Sequence, residues 1–503
     1  MNKKAIIYGA GNKGQSALLD LKNRYGIDTV CFIDENENIQ GKQILDTPVV
    51  SLEDGVDLAL LHNANIYIAL STNNHSAVQK LKRLGYKRYK VWNVYSTFRI
   101  LKTKNKISRI CDRSFLTLKK IFLKVDLFFC RISKKKSVVL HVCSEGQIQF
   151  ILPILRKSRE KEFSDSLVCY FASRYKIQDA PKKTGLPFWR CINDEESLNS
   201  EKIDFFLQTE IYGRGPIHSK KIFIGHGQPN KITNWSEDNL RSFEYYFLYG
   251  ELEKEMFLDI CSKNIEATAH IKTFEIGYPK LDDQINGAYD TDAIRKRLGL
   301  DPSKKVILYA PAWDPGCSLR EYGQEIVKVL LGLDDVYVLV KLHPVSMEPV
   351  YSPYFEFYTG GVVWKNNLGV FDDNPRYRFI DEQLVNPVLS ISDILVTDFS
   401  GIALEFMLLD RPVLYIDCPK FYNETLKKWG CDSYLSKNDD RYNAGRNYGE
   451  VVYDLSELSH KVLDALKNPN RLSAKRSIIR SRFIYNPGSA SEATLREVLC
   501  LSR

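Results

Sequence analysis

The run Ser392-Asp393-Ile394-Leu395-Val396-Thr397-Asp398-Phe399-Ser400-Gly401-Ile402-Ala403-Leu404-Glu405-Phe406 reads as a buried strand that stops at Thr397-Asp398 and a helix that opens at Ser400-Gly401. Consecutive apolar residues from Ile394 to Val396 suit a strand covered on both faces, as in a parallel sheet flanked by helices. Asp398 or Ser400 can cap the helix, and its free N–H groups together with the neighbouring hydroxyls form a site for an anion. The runs Val306 to Ala310, Val336 to Val340, Phe379 to Asp381 and Val413 to Ile416 alternate with helical stretches around it. The segment therefore belongs to a doubly wound α/β domain. An earlier series, Val138 to Val142, Leu167 to Phe171, Phe205 to Gln208 and Ile222 to Ile224, alternates in the same way. Gly277-Tyr278-Pro279 and a helix over Thr291 to Leu300 lie between the two series as a hinge. Two doubly wound halves facing across a cleft suit a group-transfer enzyme, because ligands bind where parallel strands end.

A third series begins the chain. The strand Lys4 to Tyr8 runs into Gly9-Ala10-Gly11-Asn12-Lys13-Gly14, then a helix, then Val30 to Ile33 ending in Asp34. Glycines allow a tight turn and close phosphate approach, and an acid about 20 residues on can bind a ribose hydroxyl. Gly9, Gly11, Gly14 and Asp34 are thus candidate nucleotide ligands of a Rossmann-like domain. Ile66 to Leu70, a helix to Leu84 and a strand at Val91 close this module near residue 100. It is short for a dehydrogenase and resembles the small nucleotide-binding module that opens bacterial sugar-modifying acyltransferases; a bound nucleotide and a structural or oligomerising role both fit. The chain of 503 residues then divides into 1–100, a linker 101–136, 137–290 and 291–503, in keeping with about 150 residues per domain.

Composition excludes several classes. With 44% hydrophobic and 12% aromatic residues the chain folds into cores. No stretch of ~18 uncharged apolar residues occurs, and the glycines near the start arrive before a signal-peptide core can form, so the expectation is a cytoplasmic protein. The 11 cysteines are scattered without metal-ligand spacing and read as reduced thiols, with no metal site. The net charge of +9 sits almost wholly between Leu101 and Lys136, where twelve Lys/Arg face two acids. That segment lacks Gly and Pro, and Ile107, Cys111, Phe115, Leu118, Phe122, Val125, Phe129 and Ile132 recur at helical spacing. It is an amphipathic helix, suited either to an anionic membrane surface or to packing on a neighbouring domain. Positive charge confined to one helix argues against nucleic acid as a partner.

Two histidines stand at strand ends. In Phe223-Ile224-Gly225-His226-Gly227-Gln228-Pro229-Asn230-Lys231 small neighbours leave the imidazole of His226 accessible to act as a general base. Lys341-Leu342-His343-Pro344 repeats the arrangement in the second half.

Together these motifs resemble the CDP-glycerol glycerophosphotransferase family, the teichoic-acid primases and polymerases of GT-B type fold, whose pattern runs WHG-P-K, G-PR-D, Y-PT-R, K-HP, SD-LITDYSS--FDF and RP. This chain supplies His226-Gly227, Pro229 and Lys231; Gly277, Pro279, Lys280 and Asp282; Tyr309, Ala310 and Pro311; Lys341, His343 and Pro344; Ser392, Asp393, Thr397, Asp398 and Ser400; and Arg411-Pro412. The resemblance covers roughly residues 137 to 480. It implies a transferase that moves a polyol phosphate from a CDP-activated donor to a hydroxyl of a glycan, lipid-linked, teichoic or capsule-type acceptor, releasing CMP; with such an acceptor the basic helix would hold the protein peripherally on the inner face of the plasma membrane. His226 would be the base, with His343 and Lys341 as phosphate partners. Thr397, Ser400 and Gly401 would cradle the donor diphosphate, with Lys231 and Asp398 in support. A loosely held Mg2+ stays compatible with the sequence, and so does a GT-B glycosyltransferase using a nucleotide sugar. There are departures: Gly225 replaces Trp, Lys280 replaces Arg, Gly401 replaces Ser, and Ala312 and Asp314 stand where Thr and Arg are common. Loss of an arginine clamp beside a phosphate would imply a different polyol or a remodelled acceptor site.

Overall fold

The computed structural model describes residues 4–25, 27–70, 74–91, 106–174, 177–192, 198, 201–211, 215–216, 218–227, 235–348, 355–382 and 384–502. They form two compact units. One comprises Met1–Asn105, Trp313–Pro315 and Leu342–Phe371, and the other Lys106–Ala312, Gly316–Lys341 and Asp372–Arg503. The helix expected as a linker therefore begins the second unit, and the two expected halves after residue 137 lie within that same unit apart from Trp313–Pro315 and Leu342–Phe371.

In the first unit β1 (Lys4–Tyr8), β2 (Asp28–Ile33), β3 (Gln43–Ile44), β4 (Thr47–Val50), β5 (Asn65–Ile68) and β6 (Tyr89–Val91) form a sheet in the order β3-β4-β2-β1-β5-β6. Only the β3–β4 hairpin is antiparallel. Helix α1 (Asn12–Tyr25) follows β1 and α2 (Asn74–Arg83) follows β5. Ala5 to Tyr8 are buried on both faces, as their unbroken apolar run requires.

The second unit holds two wholly parallel sheets. The strands β7 (Lys136–Val142), β8 (Leu167–Ser173), β9 (Cys191–Ile192), β10 (Phe205–Gln208), β11 (Lys220–Phe223), β12 (Tyr245–Leu248) and β13 (Lys272–Glu275) lie in the order β13-β12-β11-β10-β7-β8-β9. The strands β14 (Lys305–Tyr309), β15 (Val336–Val340), β16 (Tyr377–Phe379), β17 (Ile394–Thr397), β18 (Val413–Ile416) and β19 (Glu450–Val452) lie in the order β16-β15-β14-β17-β18-β19. In all three sheets the first strand is central and the order reverses beside it, at β1/β5, β7/β10 and β14/β17. Each reversal opens a crevice at the carboxyl ends of its strands, the place where such sheets receive ligands.

Helix α3 (Lys106–Ile132) lies against the first of these sheets through Leu123, Leu127 and Cys130, with Leu123 and Leu127 packed among Val139, Tyr170 and Phe206. Arg190 donates to both carboxylate oxygens of Asp126 at 2.7 and 2.8 Å and clamps the helix there. The stripe marked out by the sequence is a different one: Leu118, Phe122, Val125, Phe129 and Ile132 are exposed, with Ile121 and Phe128 beside them. Among the described side chains, it is the other face that packs on the sheet. The helix carries two apolar faces, and the smaller one is buried.

The two halves share one core, in which Phe150, Tyr249, Tyr278 and Leu281 pack with Leu308, Leu395, Leu404 and Tyr415. Helix α4 (Ile148–Lys157) carries Phe150, α5 (Ile402–Met407) carries Leu404, and α6 (Ser473–Phe483) adds Ile479 and Phe483. Helix α7 (Ala490–Cys500) then returns to the first half, where Leu495 and Val498 pack with Val138, Ile148 and Ile151. The carboxylate of Asp282 accepts from the N–H groups of Ala490 at 3.0 Å and Ser491 at 2.8 Å, so this family-pattern aspartate anchors the start of α7.

Candidate active site

Parallel pairing of β10 with β11 sets Gln208 opposite Phe223, which brings the residues just beyond them, Thr209-Glu210 and Gly225-His226, side by side. Gly225 turns the chain with φ +63°, and a Cβ there would stand 2.3 Å from the Tyr249 hydroxyl. The family tryptophan has no room at this position. The His226 Nδ1 lies 2.8 Å from the Thr209 carbonyl, its Nε2 lies 3.5 Å from Glu210 Oε1, and its side chain is 41% exposed. Phe150 meets the imidazole edge-on at 6.0 Å and stacks on Tyr278, which stacks on Tyr249 at 4.3 Å. Burial pushes both tyrosine hydroxyls well above their usual range, so they stay neutral.

The aromatic stack leads to the second sheet. The Lys280 ammonium sits 5.1 Å from the Phe150 ring and donates to both oxygens of Glu405 at 2.8 and 2.7 Å. The two side chains are 6% and 7% exposed. In this chain position 280 is closed off by its own carboxylate. Nearby, burial pushes the Lys341 ammonium down to about 8; Asp381 opposes that shift and the positive charge of Lys280 adds to it.

Beyond β17 the expected donor cradle divides. The Thr397 hydroxyl is 0% exposed and donates to the Ala310 carbonyl at 2.7 Å. Asp398 accepts from the N–H groups of Ala312 (2.8 Å), Phe399 (2.7 Å) and Ser318 (3.0 Å) and from the Ser318 hydroxyl (2.8 Å). Burial raises its pKa and these donors pull the other way. Both residues hold the loop after β14 against the end of β17. Ser400 and Gly401 remain half-buried at the opening of α5.

His343 belongs to the other unit. It is exposed, its Nδ1 accepts from the Val345 N–H at 3.3 Å, and Trp313 stacks on it at 5.1 Å. An accepting Nδ1 leaves the proton of the neutral ring on Nε2. Lys231 lies outside the described residues. In the N-terminal module Gly9 has φ +111°, and a Cβ on Gly14 would fall 1.7 Å from the Gly9 carbonyl, so α1 starts hard against the loop. Asp34 accepts from the Ala10 N–H at 2.9 Å and braces this loop from below. A cavity of about 230 Å³ opens beside it, lined by Tyr8, Asp34, Glu35, Leu70, Ser76, Ala77 and Lys80. Among the described residues no three His, Cys, Asp or Glu side chains converge as a metal site.

Thr209, Glu210, Gln147, Phe150 and Glu405 were not singled out by the sequence. Their only signal is position just after a strand or on the helix that follows one.

Two parallel doubly wound sheets that share a core, with a helix returning from the second half to the first, define a fold of the GT-B type. A wall teichoic acid polymerase, TagF, in a histidine-to-asparagine variant soaked with CDPG, has the same fold: TM-score 0.51 at 19% identity, over 81% of this chain and 98% of that one. Residues 259–500, just under half of the chain, match the CDP-Glycerol:Poly(glycerophosphate) glycerophosphotransferase family. A teichoic acid glycerol-phosphate primase of Bacillus spizizenii is 23% identical over 72% of this chain and 88% of its own length. A teichoic acid poly(glycerol phosphate) polymerase of the same organism is 31% identical over 31% of this chain, a stretch that spans 38% of that polymerase.

Proposed function

We propose that the protein transfers a polyol phosphate, glycerol phosphate foremost, from its CDP ester to a hydroxyl of a teichoic or capsule-type acceptor, releasing CMP. The observation that carries this reading is the run of contacts from the accessible His226 imidazole through Phe150 and Lys280 towards Lys341, all in one unit, with His226, Lys280 and Lys341 at family-motif positions. His226 Nε2 takes the acceptor proton. The acceptor oxygen attacks the phosphorus that bears the polyol, and the bond to the CMP oxygen breaks. Transfer of this kind needs in-line placement and neutralised phosphate charge more than covalent help. Lys341, Ser400 and the N–H groups at the opening of α5 face that charge.

Release of CMP from CDP-glycerol in the presence of a glycerol-phosphate-primed acceptor tests this. His226→Ala is expected to cost at least ~100-fold in turnover, the lower range for general acid–base catalysis. Turnover of a nucleotide sugar with CDP-glycerol left intact overturns the reading.

Two finer parts of the proposal concern partners. The exposed stripe of α3, flanked by Lys120 and Lys124, fits an anionic bilayer surface, and Phe122 continues onto Trp189 and Phe188 at 5.7 and 6.0 Å, an aromatic group of the kind found at interfaces. Among the described residues no helix is long and apolar enough to cross a membrane. The N-terminal cavity, at the β1/β5 reversal and beside the glycine loop, suits a nucleotide, whose sugar hydroxyls Glu35 and Asp34 can accept from. Isothermal titration with CMP, UDP and NAD tests that ligand class, and absence of binding by all three discards it.

A further inference from the structure

The geometry points to Glu210 as a positioning residue for transfer: its carboxylate, held by Gln147, is set to receive the positive charge that His226 acquires when it takes the acceptor proton. This rests on His226 being the base.

The Thr209 carbonyl can only accept a hydrogen bond, so the His226 Nδ1 facing it at 2.8 Å carries the proton. In the neutral ring Nε2 then bears a lone pair. That lone pair lies 3.5 Å from Glu210 Oε1, an acceptor facing an acceptor. The arrangement is unfavourable to the resting imidazole and favourable to the imidazolium, whose Nε2–H points at a carboxylate. A site that fits the charged form better than the neutral one lowers the barrier to proton uptake, because the interaction strengthens as the reaction proceeds.

The carboxylate is not free to turn away. Gln147 Nε2 donates to Glu210 Oε1 at 2.7 Å. The orientation of that amide is set by its other end, where Gln147 Oε1 accepts from the Cys143 N–H at 2.8 Å and from the Thr209 hydroxyl at 2.9 Å. Thr209 thus fixes the ring through its carbonyl and the carboxylate through its hydroxyl and Gln147. Residues at the β7/β10 reversal are locked together around one imidazole.

The proton and electrons are accounted for within the reaction proposed above. The acceptor O–H proton passes to Nε2, the oxygen lone pair forms the new P–O bond, and the electron pair of the broken P–O bond leaves on CMP. Among the described residues, the titratable groups around His226 include Glu210 beyond β10 and the Tyr249 and Tyr278 hydroxyls beyond β12 and β13. Glu253 lies behind Tyr249, and the Lys280–Glu405 pair lies behind Phe150 and Tyr278.

The test is steady-state kinetics of full-length Glu210→Gln, Glu210→Asp and His226→Ala/Glu210→Gln, as a function of pH, with CDP-glycerol and acceptor varied separately. Glu210→Gln is expected to lower kcat about 10- to 100-fold, within the range for acid–base partners, with the donor KM within twofold of wild type. The acid limb of its kcat profile should move to lower pH, Glu210→Asp should recover part of the rate, and Glu210→Gln should cost nothing further in the His226→Ala background. Wild-type rate with an unmoved profile overturns the assignment. So does a loss of rate that persists undiminished in the His226→Ala background, which marks a packing role. Should Glu210→Gln fail to fold, Gln147→Leu, which leaves Glu210 and its charge in place but unheld, is expected to give the same kcat loss at unchanged donor KM. A wild-type protein that releases no CMP from CDP-glycerol refutes the function, whereas an active wild type with an indifferent Glu210→Gln refutes only this inference.

Discussion

Glu253 is fully enclosed, with its carboxyl bonded to the Tyr246 hydroxyl and to the Tyr249 N–H, both at 2.6 Å. Burial pushes it up to about 8, and its two hydrogen bonds pull it back only in part. In the unfolded chain a glutamate gives up its proton near pH ~4.3. Between that pH and about 8 the folded protein keeps a proton that the unfolded chain has lost, so stability is full at the acid end and falls as pH rises, by up to ~1.4 kcal/mol per pH unit. Glu253→Gln mimics the protonated acid. Urea denaturation from pH 5 to 8 should show the variant gaining on wild type as pH rises, and parallel curves would refute the shift. Lys341 works in the opposite sense for ligand binding, since its ammonium is the form that attracts a diphosphate and burial brings it down to about 8. The donor KM should therefore rise above pH ~8 in wild type and stay flat in Lys341→Arg, whose guanidinium keeps its charge throughout. A wild-type KM that is level to pH 9.5 would remove Lys341 from the donor site. Gly225 illustrates how a departure becomes legible: beside the family pattern it is only a missing tryptophan, while the positive φ and the Tyr249 hydroxyl show why no side chain fits.

At the scale of elements, α3 shows what periodicity conveys. The spacing of Leu118, Phe122, Val125, Phe129 and Ile132 announces a helix with an apolar stripe, and the helix is there. It does not say what lies across from the stripe, and Leu123, Leu127 and Cys130 were chosen by the sheet beneath. With the stripe exposed, Lys119→Gln/Lys120→Gln/Lys124→Gln should lower recovery with anionic vesicles at low salt, where each basic residue near the surface contributes about 1 kcal/mol. Raised salt should release the wild type as well. Equal recovery of both proteins in the supernatant would leave the stripe without a membrane. The β3–β4 hairpin escaped notice because its turn is made by Leu45 and Asp46 at φ 49° and 58°, without the Asn-Gly that usually marks such a turn. β13 escaped because Lys272-Thr273-Phe274-Glu275 is an edge strand, largely exposed. The start of α7 depends on Asp282 alone for two of its N–H groups, so Asp282→Ala should cost about 2 kcal/mol, the upper end for loss of a cap. Hydrogen exchange across Ala490–Cys500 is the readout, and unchanged protection there would refute the anchor.

On the scale of the molecule, the three sheets repeat one strand order; the alternation of apolar runs with helical stretches was legible in the sequence, and the order of the strands was not. His226, Lys341 and the 397–401 turn were legible because each stands at the end of an apolar run. Glu210 and Gln147 were not, because their place beside His226 depends on the register of β7, β10 and β11, which no local spacing records. Nor was the division into units, since one unit gathers pieces distant in sequence. Because α7 completes the core of the first half, a chain stopped before Ala490 should expose the apolar surface under Leu495 and Val498 and aggregate. A soluble truncated protein with the wild-type melting temperature would contradict this. The same return of α7 sets a timetable. During synthesis the strand β7 emerges long before its last core partners, and at ~5–20 residues per second the roughly 350 residues between them take about 20 to 70 s to make. For that interval the nascent first half presents an uncovered hydrophobic face, so its survival depends on chaperone cover or on pausing of the ribosome, and codon choice within that stretch becomes a determinant of yield.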